Sequence, residues 1–228
     1  MSALLPKGHD WDLTPAQAID LQNRLRQQVI ARDDFCKIRH VAGVDVGFED
    51  DGSITRAAVV ILDYRRLELL DVVIAREETR FPYIPGLLSF RELPAVLAAV
   101  KKLKQKPDIY LCDGQGYAHP RRFGIACHLG VLTNTPAIGV GKTRLLGKYR
   151  FPADQKGDWQ PLIHEQETIG AVLRTRIHVK PIFVSIGHRI SLASAVATVM
   201  KCVTRYKLPE TTRLAHHYAS REKEFQSG

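Results

Sequence analysis

Hydrophobic positions along the chain change period several times, and the changes mark out its elements. Thr14-Pro15 combines a helix N-cap with proline in the first turn, and Ala18, Leu21, Leu25 and Val29 then recur at helical spacing. This predicts an amphipathic helix over about residues 14–31. Three β-rich runs follow: Ile38 to Phe48, Arg56 to Tyr64 after Asp50-Asp51-Gly52, and Leu67 to Ala75. Their short connections predict antiparallel neighbours. A proline-rich loop, Phe81-Pro82-Tyr83-Ile84-Pro85-Gly86, leads into a helical stretch from about Leu87 to Lys104 that contains Pro94. Beyond it strands and helices alternate: Asp108 to Cys112, helix Phe123 to Leu132, strand Ala137 to Val140, strand Ile182 to Ile186, helix Ser191 to Val203. Three antiparallel strands followed by helix, strand, helix, strand is the order of a ribonuclease-H-like mixed α/β sheet flanked by helices, an assignment by analogy.

A length of 228 residues, 45% hydrophobic and 25% charged, suits a single domain with one full core and flexible ends. No stretch approaches the roughly 20 apolar residues of a membrane span, and the first residues lack the apolar region of a secretory signal. Cys36, Cys112, Cys127 and Cys202 are scattered without disulfide or zinc spacing. A cytoplasmic protein with free thiols is expected, monomeric in the absence of any evident self-complementary patch. The formal charge of +9 favours a polyanionic partner but does not identify it.

The acids are more informative. Alternation through His40-Val41-Ala42-Gly43-Val44-Asp45-Val46-Gly47-Phe48 puts Gly43, Asp45 and Gly47 on one strand face. A carboxylate in so apolar a strand needs a cation, hydrogen bonds or an open cleft, and the flanking glycines leave room for another backbone or a phosphate. Asp113 ends the strand Ile109-Tyr110-Leu111-Cys112, at the sheet edge where α/β proteins bind ligands. If those strands are neighbours, Asp45 and Asp113 converge. Two hard oxygen ligands with open positions suit Mg²⁺, with Mn²⁺ as a substitute, and imply phosphodiester hydrolysis. Glu92 is the third candidate acid; taken singly, a capping or salt-bridged role is the better explanation of it.

Lys142 follows Ala137-Ile138-Gly139-Val140-Gly141 and should emerge at the same edge, where it can neutralise a phosphate; a solvated surface lysine is the plainer alternative. Gly141-Lys142-Thr143 is not a P-loop, because Pro136 stands where that pattern requires glycine. Pro82, Tyr83, Ile84, Pro85 and Gly86 form either an apolar wedge of the kind pushed into a base stack or a proline turn packed into the core. Gly114 and Gly116 would let backbone N–H groups line a pocket for a flipped base. His119-Pro120-Arg121-Arg122 adds positive charge beside that pocket, suited to phosphate contacts that fix register. His216 and His217 offer a metal or water ligand near the C-terminus, or two surface histidines.

These motifs together, Val41 to Phe48, Pro82 to Gly86 with Ser89-Phe90-Arg91-Glu92, Asp113-Gly114-Gln115-Gly116 with His119-Pro120-Arg121, and Gly139-Val140-Gly141-Lys142, resemble those of the endonuclease V family. The resemblance runs in order from about residue 14 to residue 220. It implies a ribonuclease-H-like fold and a Mg²⁺ centre on Asp45 and Asp113, completed by Glu92. Lys142 would contact the phosphate, and Tyr83 would part the strands beside a flipped hypoxanthine. Cutting is implied at the second phosphodiester bond 3′ to inosine, in DNA or in RNA, leaving 3′-hydroxyl and 5′-phosphate ends. Gln115 stands where many members have histidine, and the C-terminal site varies in the family between histidine and aspartate, here assigned to His216. Two other readings remain: a structure-selective nuclease of the same fold, and a non-catalytic nucleic-acid-binding module.

Overall fold

A computed structural model describes residues 10–220, and the ends expected to be flexible lie outside that range. Helix α1 spans Pro15–Leu25. Thr14 and Gln17 cap it reciprocally, and Ala18, Leu21 and Leu25 are buried. The helix is shorter than its apolar spacing predicts. Arg26–Gln28 tighten into a 3-10 turn that buries nothing, and the Ile30 N–H is drawn to His188 Nδ1 at 3.3 Å.

Strands β1 (His40–Glu49), β2 (Ile54–Asp63) and β3 (Leu69–Glu78) form the expected antiparallel meander. Helix α2 (Leu88–Lys102), β4 (Ile109–Asp113), α3 (Ile125–Thr133) and β5 (Ala137–Gly141) follow. Next come β6 (Trp159–His164), β7 (Glu167–Leu173), β8 (Ile182–His188), α4 (Leu192–Lys201) and α5 (Glu210–Ser220). The sheet order is β3-β2-β1-β4-β5-β8-β7-β6, with β1, β4 and β5 mutually parallel. Those parallel pairs require crossovers, which α2 and α3 supply.

The β6–β7 hairpin is absent from the sequence reading. Its turn residues Glu165 and Gln166 both hold positive φ (52° and 67°) without glycine, so the usual turn signal is missing. Pro161 lies inside β6, which an edge strand tolerates.

Two apolar layers sandwich the sheet. Ala42, Val44, Val59 and Ile61 pack under α2 and α3 through Leu93, Val96 and Leu129. Val41, Val60, Leu111 and Ile138 face α4 and α5 through Val196, Val199 and Ala215. Gly43 and Gly47 explain how closely α5 approaches. A Cβ on Gly43 would overlap the Thr211 carbonyl, and one on Gly47 would stand 2.5 Å from the Ala219 carbonyl oxygen. Of the two occupants those glycines allowed, it is another backbone that uses the room. No helix among the described residues is long and apolar enough to cross a membrane.

Candidate active site

Asp45 shares a strand face with Gly43 and Gly47, so its side chain points toward α5. The Val46 N–H donates to Asp45 Oδ1 at 2.8 Å, and His216 Nδ1, from α5, lies 2.7 Å from Oδ2. Asp113 is one step beyond the paired Val44 and Cys112, at the end of β4, which sets it beside Asp45. One ligand atom from each of Asp45, Asp113 and His216 lies within 4.8 Å of the others. His217 turns away and packs against the ring of Tyr218.

The charges in this cluster do not cancel. Burial, and then the negative charge of Asp113, push the Asp45 carboxyl up to about 6. Glu92, in the second turn of α2, is pushed up to about 8 by burial and by Asp45 and Asp113. Lys142 leaves β5 at the same edge, and its Nζ sits 2.5 Å from Asp113 Oδ2. One ammonium against three converging carboxyls leaves a negative surplus in a poorly solvated place, and a divalent cation relieves it. Two carboxylates and an imidazole fit Mg²⁺ through the oxygens and Mn²⁺ through all three ligands.

A cavity of about 270 Å³ opens beside Asp113 and Glu92, walled by Gly114, Gln115, Ile125 and the loop at Tyr83. Tyr83 is 69% exposed. Ile84 turns inward against the cluster of Phe81, Leu87 and Phe90, so one residue of the pair projects and the other anchors. Gly86, at φ +81°, turns the chain, and its carbonyl accepts from Gln22 Nε2 (3.1 Å), His119 Nε2 (3.0 Å) and Arg121 Nη2 (2.7 Å).

Several expectations change at this point. His119 and Arg121 brace the Tyr83 loop. Burial and the neighbouring guanidinium of Arg121 hold the His119 imidazole down to about 4, so it is neutral. Arg122 pairs with Glu167 at 2.7 Å, which removes it from the free positive charge. Gly114 borders the cavity, but its N–H donates to the Val140 carbonyl. Gly116 lies beneath, donates to Ser185 Oγ at 2.9 Å and packs on the Ile186 carbonyl, where any Cβ would overlap. Neither N–H is free to line a pocket. Gln115 donates to the Thr143 carbonyl at 3.0 Å across Gly141, tying the Lys142 turn to the Asp113 turn.

Gln22 was not singled out by sequence. It is a buried polar residue on the apolar side of α1, bonded to Gly86, Phe123 and Arg121. A glutamine following Leu21 in the helical pattern was its only signal.

The sequence profile of the family described as Endonuclease V matches residues 23–217. The chain belongs to the endonuclease V family. Endonuclease V of Trichormus variabilis is 58% identical over 213 residues, covering 93% of this chain and 96% of that protein. The crystal structure of Endonuclease V from Streptomyces avermitilis superposes with a TM-score of 0.88 at 42% identity, over 94% of each chain. Endonuclease V of Ciona intestinalis, solved in complex with a 24mer DNA containing an inosine followed by a ribo-adenosine, gives 0.79 at 29% identity, over 90% of this chain and 95% of that one. The ribonuclease-H-like α/β fold expected from the element order is borne out, and the chain is an endonuclease of this family.

Proposed function

We propose that this endonuclease V cuts one strand of nucleic acid at the second phosphodiester bond 3′ to a deaminated adenine, leaving 3′-hydroxyl and 5′-phosphate ends. The observation that carries the reading is the adjacency of the Asp45–Asp113–His216 cluster, an exposed Tyr83 and a cavity that opens beside Asp113. Tyr83 enters the base stack while Pro82, Pro85 and the anchored Ile84 keep its loop stiff. The displaced hypoxanthine occupies the cavity beside Gly114. Gly86, held by three donors, fixes the loop's angle to that cavity.

Asp45 and Asp113 would hold Mg²⁺, with His216 and Glu92 completing the set, and the chemistry such an ion would supply is activation of water and stabilisation of the leaving oxygen. Lys142 moves from its contact with Asp113 to the scissile phosphate as the substrate enters. Glu92 orients the attacking water. DNA is the reference substrate, and inosine-containing RNA presents the same base. The enzyme acts as a monomer in the cytoplasm.

The test is cleavage of matched labelled oligonucleotides with and without one inosine, as DNA and as RNA, in Mg²⁺ and in EDTA. Metal-dependent nicking confined to inosine strands is expected. Cleavage indifferent to inosine would replace this reading with a structure-selective nuclease. Asp113→Asn is expected to abolish turnover, by at least about a thousandfold, while still binding an inosine duplex in Ca²⁺ by gel shift. Loss of binding there would make Asp113 structural.

A further inference from the structure

A positive surface lies at the same edge of the sheet as the acidic centre. Lys156, Arg176 and Arg205 line an open groove with Ile177, Thr204 and Tyr206. All six are exposed, and no ion pair neutralises the three cations among the described residues. The nearby acids are already engaged. Asp154 pairs with Arg174 and His178, and Glu210 accepts from Arg213 and Thr204. Just behind the groove, burial and the charge of Lys180 hold the Lys207 amine below the usual lysine range, a crowding of like charge that an anion would relieve.

Arg205 is arranged in advance. Its Nη2 donates to the Tyr206 hydroxyl at 2.8 Å, and its guanidinium lies over the Tyr206 ring at 4.9 Å. Arg213 lies over the same ring, also at 4.9 Å. The ring thus orients two guanidiniums, of which only Arg213 forms an ion pair with Glu210, a carboxylate that Arg205 also influences from further off.

Register connects this groove to the catalytic edge. Gly141, which precedes Lys142, pairs with Phe183; Phe183 pairs with Val172, and Leu173 with Ile182. The segment that follows Leu173, carrying Arg176, therefore leaves the sheet at the edge where Lys142 emerges, two strands across. Trp159 pairs with Leu173, which brings Lys156 to the same edge. Thr175 donates to the Lys207 carbonyl at 2.7 Å and ties in the Arg205 segment. From the other side, α5 carries Arg213 and His216 one turn apart. Two inter-strand spacings are about 10 Å, or roughly three nucleotides of a duplex strand.

We propose that the Lys156–Arg176–Arg205 groove is a second nucleic-acid contact that grips the phosphodiester backbone of the substrate several nucleotides away from the scissile bond. The proposal rests on the reading that the acidic centre cuts a nucleic-acid strand. Planar guanidiniums held without carboxylates suit phosphates, and such contacts fix register and add affinity without reading sequence.

The test compares the full-length parent with an Arg176→Ala, Arg205→Ala double variant on two inosine substrates. One is long, and the other is truncated on both sides so that it cannot reach the groove. KM for the long substrate should rise about five- to tenfold with kcat unchanged, while the truncated substrate is cut equally by both proteins. Binding of the long strand in Ca²⁺, followed by fluorescence anisotropy, should lose about two from the slope of log affinity against log salt. Lys156→Glu, which leaves the Tyr206 ring and its two guanidiniums in place, repeats the test should the double variant not fold. Unchanged affinity for the long strand, or equal impairment on both lengths, overturns the proposal. If the parent cuts neither inosine substrate, the catalytic reading falls, while the salt slope on a long inosine-free strand still decides whether the groove binds phosphates.

Discussion

Asp45 and Glu92 are costly residues in the resting protein, because each carboxyl is desolvated beside other acids. A fold that keeps them forgoes stability for a ligand-ready centre, the usual compromise at catalytic positions. Tyr83 shows the opposite economy. At 69% exposure its ring supports nothing beneath it, so Tyr83→Ala should leave the thermal midpoint within about 1 °C. The same change should lower inosine-dependent cutting by roughly an order of magnitude or more, since stacking on one base is worth ~1–3 kcal/mol. Equal cutting by variant and parent would remove Tyr83 from recognition. Spacing marked the Pro82–Gly86 loop without telling wedge from turn, and only the family resemblance pointed to Tyr83. In the fold, Ile84 packs against the cluster of Phe81, Leu87 and Phe90 while Tyr83 stays exposed. The arginines were harder to place. Arg121 and Arg122 read as free positive charge, yet their partners Gly86, Gln22 and Glu167 come from distant parts of the chain.

At the scale of elements, the site depends on how tightly α5 lies on β1. Gly43 and Gly47 admit the helix backbone, and α5 then delivers His216 to Asp45. Gly43→Ala should push the helix off the strand, cost about 1–3 kcal/mol of stability as an overpacking change, and reduce cutting even at temperatures where the variant is folded. Chemical denaturation together with activity measured below the midpoint checks both parts; a variant with parental stability and parental activity would show that α5 need not sit so close. The strand and helix periods of β1, β2, α2 and β4 were legible to within a few residues, because their apolar faces repeat over many positions. The β6–β7 hairpin was not, since Glu165 and Gln166 adopt left-handed backbone angles that their side chains do not announce.

For the molecule as a whole, buried imidazoles set part of the response to acid. His188, buried and next to Arg189, is held down to about 4, from an ordinary value near 6.5. Because the folded value is the lower one, its contribution is complete above about 6.5 and is lost as pH falls toward 4. Asp45 and Glu92, held high, act in the opposite direction, so the comparison with a variant isolates the imidazole. His188→Asn, whose side-chain oxygen can still accept from the Ile30 N–H, should show a shallower fall in Tm between pH 7 and 4. The difference should be of the order of 1 kcal/mol, or about 2–4 °C; parallel curves would exclude His188 as the titrating group.

What the sequence determined by itself is the local chemistry: acids at strand positions that repel charge, a proline-stiffened loop with an aromatic at its tip, and periods that name the elements around them. Those are short-range properties, written in neighbouring residues. The tertiary structure alone decided the strand order that makes Asp45 and Asp113 adjacent, the helix that fills the space above Gly43, and the hydrogen bond by which His216 meets Asp45. It also decided which cations are spent on internal partners and which line the groove at Arg176 and Arg205. Each of these depends on contacts between residues tens to more than a hundred positions apart, where backbone approach and desolvation settle the outcome and no local pattern records it.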